Sequence, residues 1–166
     1  MKLPPGFESS HPNKGAVQIN VLVYVDDLII SGNNTAALRA FKAYLSDCFH
    51  MKDLGTLKYF LGIEVARSSS DLFLCQRKYT LDIISEAGLL GSKPVGFPME
   101  QNHKLGLANG PLLDDPEPCR RLVGRLIYLV VTRPDLAYFV HILSQFMHAP
   151  RTGHWEAALR VVRYLK

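Results

Sequence analysis

Two adjacent carboxylates, Asp26 and Asp27, interrupt a largely apolar stretch between Val17 and Ser31. Aspartates held on a rigid turn can bind two divalent cations roughly 3.5–4 Å apart, one activating the attacking oxygen of a phosphoryl transfer and one the leaving oxygen. Aspartate is also a common turn residue for purely local reasons. A bare Asp-Asp pair is therefore more often turn chemistry than a metal site. The other groups capable of chemistry are dispersed. Cys48, Cys75 and Cys119 are far apart and form no C-x-x-C pair, which argues against a zinc site. Their odd number fits free thiols in a reducing compartment. The six histidines show no metal-ligand spacing and read as structural or solvated.

The elements that must position the carboxylates follow from periodicity. The run VQINVLVYVDDLIIS reads as a β-hairpin with the aspartates at its turn. Both strand faces are largely apolar, so the hairpin should be covered on at least one side. Asn33-Asn34-Thr35 is a helix N-cap group, and Leu38, Phe41, Leu45 and Phe49 follow at helical spacing. Gly55 breaks the chain. A second hairpin is predicted from Tyr59–Val65 and Leu72–Cys75, joined by a polar turn at Ser68–Asp71. Lys78–Ala87 reads as a helix stopped by Gly88.

Residues 88–118 are rich in proline and glycine and read as a long loop, the expected domain boundary. Three helical segments follow. Leu122, Leu126, Leu129 and Val130 mark the first. Leu136, Phe139, Val140, Leu143 and Met147 mark the second, which ends before Pro150. Trp155, Ala158, Leu159, Val162 and Leu165 mark the third, which is predicted to remain helical at Lys166. Arg121 and Arg125 share one helix face, and Arg160 and Arg163 another. Such faces could track phosphates, but the spacing alone favours solvated faces opposite apolar stripes. Tyr128, Tyr138, Phe139, Phe146 and Trp155 read as core aromatics rather than stacking platforms.

A chain of 166 residues, 48% hydrophobic, can bury a real core. A net charge of +4 permits a polyanionic partner without requiring one. The N-terminal Met-Lys-Leu-Pro-Pro-Gly-Phe has no apolar run behind its charge and is not a signal peptide. Apolar stretches of about ten residues fall short of a membrane span. The expectation is an intracellular protein, cytoplasmic or nuclear, with no membrane partner.

The context of the carboxylates is more specific than the pair itself. Tyr24-Val25-Asp26-Asp27, within LVYVDDLIISG, resembles the Tyr-x-Asp-Asp signature of reverse transcriptases, and of the copia-type retrotransposon enzymes in particular. Further blocks in order carry the resemblance: Phe49-His50-Met51-Lys52-Asp53-Leu54-Gly55, Tyr59-Phe60-Leu61-Gly62-Ile63-Glu64, Gln76-Arg77-Lys78-Tyr79, the run from Arg120 to Leu129, Thr132-Arg133-Pro134-Asp135, and His154-Trp155-Glu156-Ala157-Ala158. Together they extend from about Val21 to Lys166. Several ordered blocks make the likeness specific where one would not.

The resemblance implies an α+β fold, a partial palm of two hairpins and a helix followed by thumb- and connection-like helices. Residues 1–16 would be an irregular segment and 17–76 the partial palm. Residues 77–117 would be a thumb-like helix and linker, and 118–166 a helical segment leading toward a ribonuclease H domain. It implies Mg2+ as cofactor and an RNA or DNA template-primer with dNTP as partners in the intact family enzyme. Asp26 would be the principal metal ligand and Asp27 the second carboxylate. Tyr24 would lie under the primer end, and Leu61-Gly62 in the primer-gripping turn. Arg121 and Arg125 would face nucleic acid, and Lys52 would take the place of a general acid. The sequence departs from the family by lacking an upstream strand with a third aspartate and a fingers region. The opening Met1–Phe7 resembles a family segment that normally lies much farther from the hairpin. The expectation is thus an internally deleted, C-terminally truncated copy, inactive alone as a polymerase. The alternative is a non-catalytic nucleic-acid-binding remnant or an expressed pseudogene product.

Overall fold

The alternation around Asp26-Asp27 does fold back on itself. The computed structural model describes residues 16–100, 105–107 and 110–166, so the N-terminal segment read as irregular lies outside the described residues up to residue 15. Strands β1 (Ile19–Tyr24) and β2 (Asp27–Gly32) pair antiparallel, with Ile19 opposite Gly32 and Tyr24 opposite Asp27. Helix α1 (Thr35–Phe49) follows at once. Asn34 caps it, its side-chain oxygen accepting the Ala37 N–H at 3.0 Å. At the other end His50 turns left-handed, with φ 52°, and its N–H reaches the Ser46 carbonyl. The predicted stripe is only half covered: Leu38, Phe41 and Leu45 are partly buried and Phe49 is exposed. Gly32 lets β2 meet the helix, since a methyl group there would strike the Gln18 carbonyl and crowd Leu38.

The chain divides into two compact units, residues 1–57 and 58–166. The hairpin and α1 are the regular elements in the described part of the first. The second opens on a three-stranded antiparallel sheet, β3 (Tyr59–Phe60), β4 (Ile63–Arg67) and β5 (Leu72–Cys75), in the order β3-β4-β5. One hairpin had been expected here. The run Tyr59–Val65 instead folds at Leu61-Gly62, where both residues have positive φ, 49° and 82°. Two left-handed residues make the primed turn whose twist suits a tight hairpin. An apolar run has no periodicity break at such a position, so alternation alone does not reveal it.

Among the described residues four α-helices complete this unit: α2 (Arg77–Glu86), α3 (Glu117–Leu129), α4 (Ala137–Ser144) and α5 (Thr152–Tyr164). Gly88 adopts φ 68° just past α2, as its position predicts. The third predicted helix stops earlier than expected. α5 ends at Tyr164 with Leu165 as its cap, so Lys166 is not helical.

Apolar spacing selects the buried face of each helix. α3 buries Cys119, Leu122, Val123, Leu126 and Leu129, and α5 buries Ala158, Val161 and Val162 beside His154. Ile83 and Ile84 of α2, Leu136, and Val140 and Leu143 of α4 complete one cluster. Residues 88–118, the expected boundary, lie inside the second unit. Met99 is buried in the core, the Val95 N–H donates to the Arg163 carbonyl, and the Leu113 N–H donates to the Pro150 carbonyl. The fold class is α+β. No described helix is long and apolar enough to cross a membrane.

Candidate functional site

The turn of the first hairpin is Val25-Asp26, because Tyr24 and Asp27 already pair across the ladder. The aspartates therefore do not share one role in the backbone: Asp26 lies in the turn and Asp27 is the first residue of β2. Val25 has φ 49°, a left-handed conformation that β-branched residues rarely adopt. Tyr24, Val25, Asp26 and Asp27 are all exposed. Neither carboxylate makes a hydrogen bond or ion pair with a described residue, so both keep their oxygens available. By strand alternation Asp27 shares a face with Leu22 and Ile29. Gly32, which meets α1, lies on the other face with Leu28 and Ile30.

Carboxylate oxygens are the donors that a hard divalent cation prefers. The pair supplies two such groups, Asp26 in the turn and Asp27 at the start of β2, a donor set of the kind that a hard divalent cation takes with most of its shell left to water. Among the described residues no cluster of three or more His, Cys, Asp or Glu side chains forms a cation site. Lys52, also in the first unit, is exposed. Its neighbour Asp53 accepts the Gly55 N–H at 2.9 Å and the Lys42 ammonium at 3.0 Å. The Gly55 N–H and then Lys42 hold the Asp53 carboxyl below the usual range.

The second unit fixes the Leu61-Gly62 turn from behind. The Tyr128 hydroxyl of α3 donates to the Leu61 carbonyl, and a Cβ at Gly62 would come within 3.7 Å of the Tyr128 ring. Tyr79 packs edge-on against Tyr128, with ring centroids 5.4 Å apart. The Arg125 guanidinium lies 4.9 Å over the Tyr79 ring and pairs with Glu86. Arg125 is thus engaged within the unit, whereas Arg121, one turn earlier, is exposed. Of the predicted core aromatics, Phe139 and Trp155 do pack on the core, but Tyr138 is exposed.

Three residues escape a motif-based reading. Glu64 of β4 accepts the Lys78 N–H at 3.0 Å and so caps α2, whose own cap residue Gln76 makes no side-chain cap bond. Tyr128 supports the turn. Gln76 itself is buried. Their only sequence signal was membership in the ordered blocks. The partners are 14 to 67 positions away, and no periodicity connects them.

Comparison with known proteins adds the family signal. A model of the reverse transcriptase (RNA-dependent DNA polymerase) family matches residues 9–101. The chain is 48% identical over 152 residues to the Retrovirus-related Pol polyprotein from transposon RE2 of Arabidopsis thaliana, covering 92% of this chain and 10% of that protein. It is 45% identical to the Pol polyprotein from transposon RE1 of the same plant, with the same coverages. Against the Pol polyprotein from transposon TNT 1-94 of Nicotiana tabacum it is 35% identical over 157 residues, covering 89% of this chain and 12% of that protein. The chain spans about a tenth of the length of these relatives. No solved structure matches it.

Proposed function

Because the chain belongs to the reverse transcriptase family of copia-type retrotransposon Pol polyproteins, we propose that its Tyr24–Asp27 hairpin is two-thirds of a nucleotidyl-transfer metal site. The observation that carries this is the pair of exposed, unpartnered carboxylates on a turn held by a strained Val25. Asp26 is the principal ligand for Mg2+, Asp27 the second, and Tyr24 the platform under a primer end. Divalent cations held by Asp26 and Asp27 would supply the positive charge that activates an attacking hydroxyl and stabilises a departing pyrophosphate. Leu61-Gly62 grips the primer strand, with Tyr128 bracing the turn. Lys52 serves as general acid. Arg121 and Arg125 contact the nucleic-acid backbone, Arg125 from a side chain braced by Glu86 and Tyr79. In this reading residues 17–76 are palm and the helices beyond are thumb- and connection-like. The partners are a template-primer and dNTP.

With two carboxylates grouped and no third beside them among the described residues, the 166-residue chain alone does not extend a primer. A template–primer extension assay with Mg2+ checks this, and incorporation that vanishes in Asp26→Asn would refute it. The metal reading is tested separately, by Mn2+ titration of the isotope-labelled chain. Line broadening is expected to centre on residues 24–29 with affinity of about millimolar, because the protein supplies few of the six oxygens. Asp26→Ala should weaken it more than Asp27→Ala. Tight binding that survives Asp26→Ala would place the cation elsewhere and end this reading.

A further inference from the structure

The block Gln76-Arg77 is not absorbed by the polymerase reading, and it lines an open cavity of about 730 Å³ within residues 58–166. That volume is in the range of small-molecule sites. Leu81, Ile84 and Leu90 give the cavity apolar walls, while Gln76, Arg77 and Arg133 gather at its polar part. No aspartate or glutamate lines it.

Gln76 is only 2% exposed. Its Oε1 accepts the Thr132 hydroxyl at 2.8 Å. The Nε2 group has no partner among the described residues. A buried amide donor without an acceptor is unfavourable, and a ligand oxygen offsets that cost. Arg133 is already held by Asp135 through bonds of 2.9 and 2.8 Å, and the Lys166 ammonium, which also lines the cavity, donates to the carbonyls of Leu89, Leu90 and Ser92, so the cation left for a ligand among the described residues is Arg77, exposed on the first turn of α2.

We propose that this cavity binds a small anionic amphiphile. Its apolar body lies on Leu81, Ile84 and Leu90. Its phosphate or carboxylate faces Arg77, and one of its oxygens accepts from Gln76 Nε2. The geometry requires both parts of the ligand: the charge alone would be satisfied in solvent, and the apolar body alone would leave Nε2 unpaired.

The test uses the full chain, isotope-labelled, titrated with phenyl phosphate, phenylacetate, inorganic phosphate and benzyl alcohol. Both aromatic anions should shift the Gln76 side-chain amide signals saturably, and about ten-fold more tightly than either control, as expected for a charge-assisted bond in a partly desolvated site. Preference for phenyl phosphate assigns a phosphorylated ligand, and preference for phenylacetate a carboxylate. Arg77→Ala, at an exposed position, should leave the backbone spectrum intact and weaken both about five-fold. Benzyl alcohol binding as tightly as the anions would reduce the cavity to an apolar hollow. Inorganic phosphate binding equally would reduce it to a surface charge. Saturation without movement of the Gln76 signals would overturn the proposal outright.

Discussion

At the residue scale, Val25 holds the conformation least suited to its side chain. A left-handed backbone costs an L-residue about 1–2 kcal/mol, and a β-branched one no less. Asparagine tolerates that region. Val25→Asn should therefore stabilise the hairpin by about 1 kcal/mol, read as slower hydrogen exchange at the Asp27 amide. Unchanged or faster exchange would show that the turn is not strained. A second residue-scale prediction concerns Asp135. Hydrogen bonds from Arg133 hold its carboxyl below the ordinary range, against the opposing effect of burial. A carboxyl depressed in the folded state stabilises fully above the unfolded pKa, near 4, and that increment is lost as pH falls through the lower folded value. Both side chains are more than a third exposed, so solvent screening keeps the increment below about 1 kcal/mol. Stability curves of the wild type and Asp135→Asn should differ at neutral pH and converge in acid. A difference that does not shrink as pH falls below the unfolded pKa would assign the effect to packing.

Among the elements, the junction of β4, β5 and α2 shows how a strand can cap a helix it does not adjoin in sequence. Glu64 supplies the carboxylate that Gln76 does not, at the positive end of the α2 dipole. Glu64→Ala should cost about 1 kcal/mol of unfolding free energy. Glu64→Gln, which keeps the acceptor oxygen, should cost clearly less. Chemical denaturation compares the two, and equal losses would mean that packing of the side chain matters rather than its capping bond. The blocks around Glu64, Gln76 and Tyr128 are thus partners in one frame behind the Leu61-Gly62 turn.

For the whole molecule, the distribution of buried surface is uneven. Every buried apolar residue among the described residues lies in residues 58–166, and none lies in the hairpin or α1. Local stability follows buried contacts. Amides of β1, β2 and α1 should exchange well ahead of those of Leu126, Leu129 and Val161, with the slowest in α3 and α5. Comparable protection in both units would show that the hairpin is stabilised by contacts beyond its own element pair.

Much of this was already written in the sequence. The Asn34 cap, the stripes of α3 and α5, the Gly88 stop and the Tyr-x-Asp-Asp hairpin are local patterns: neighbours three, four or two positions apart report one backbone period, and the period determines the element. The family followed from the order of the blocks. What only tertiary structure decided is which distant groups meet. The three-stranded sheet in place of one hairpin depends on two left-handed residues, Leu61 and Gly62, which the family resemblance places in a turn but the alternation of the run does not reveal. The engagement of Arg125 by Glu86 and Tyr79, the capping of α2 by Glu64, and the buried, half-satisfied Gln76 join residues far apart along the chain. Period records which face a side chain occupies. It carries no record of what that face will meet, because packing selects partners by shape and by hydrogen-bond satisfaction once the elements are assembled.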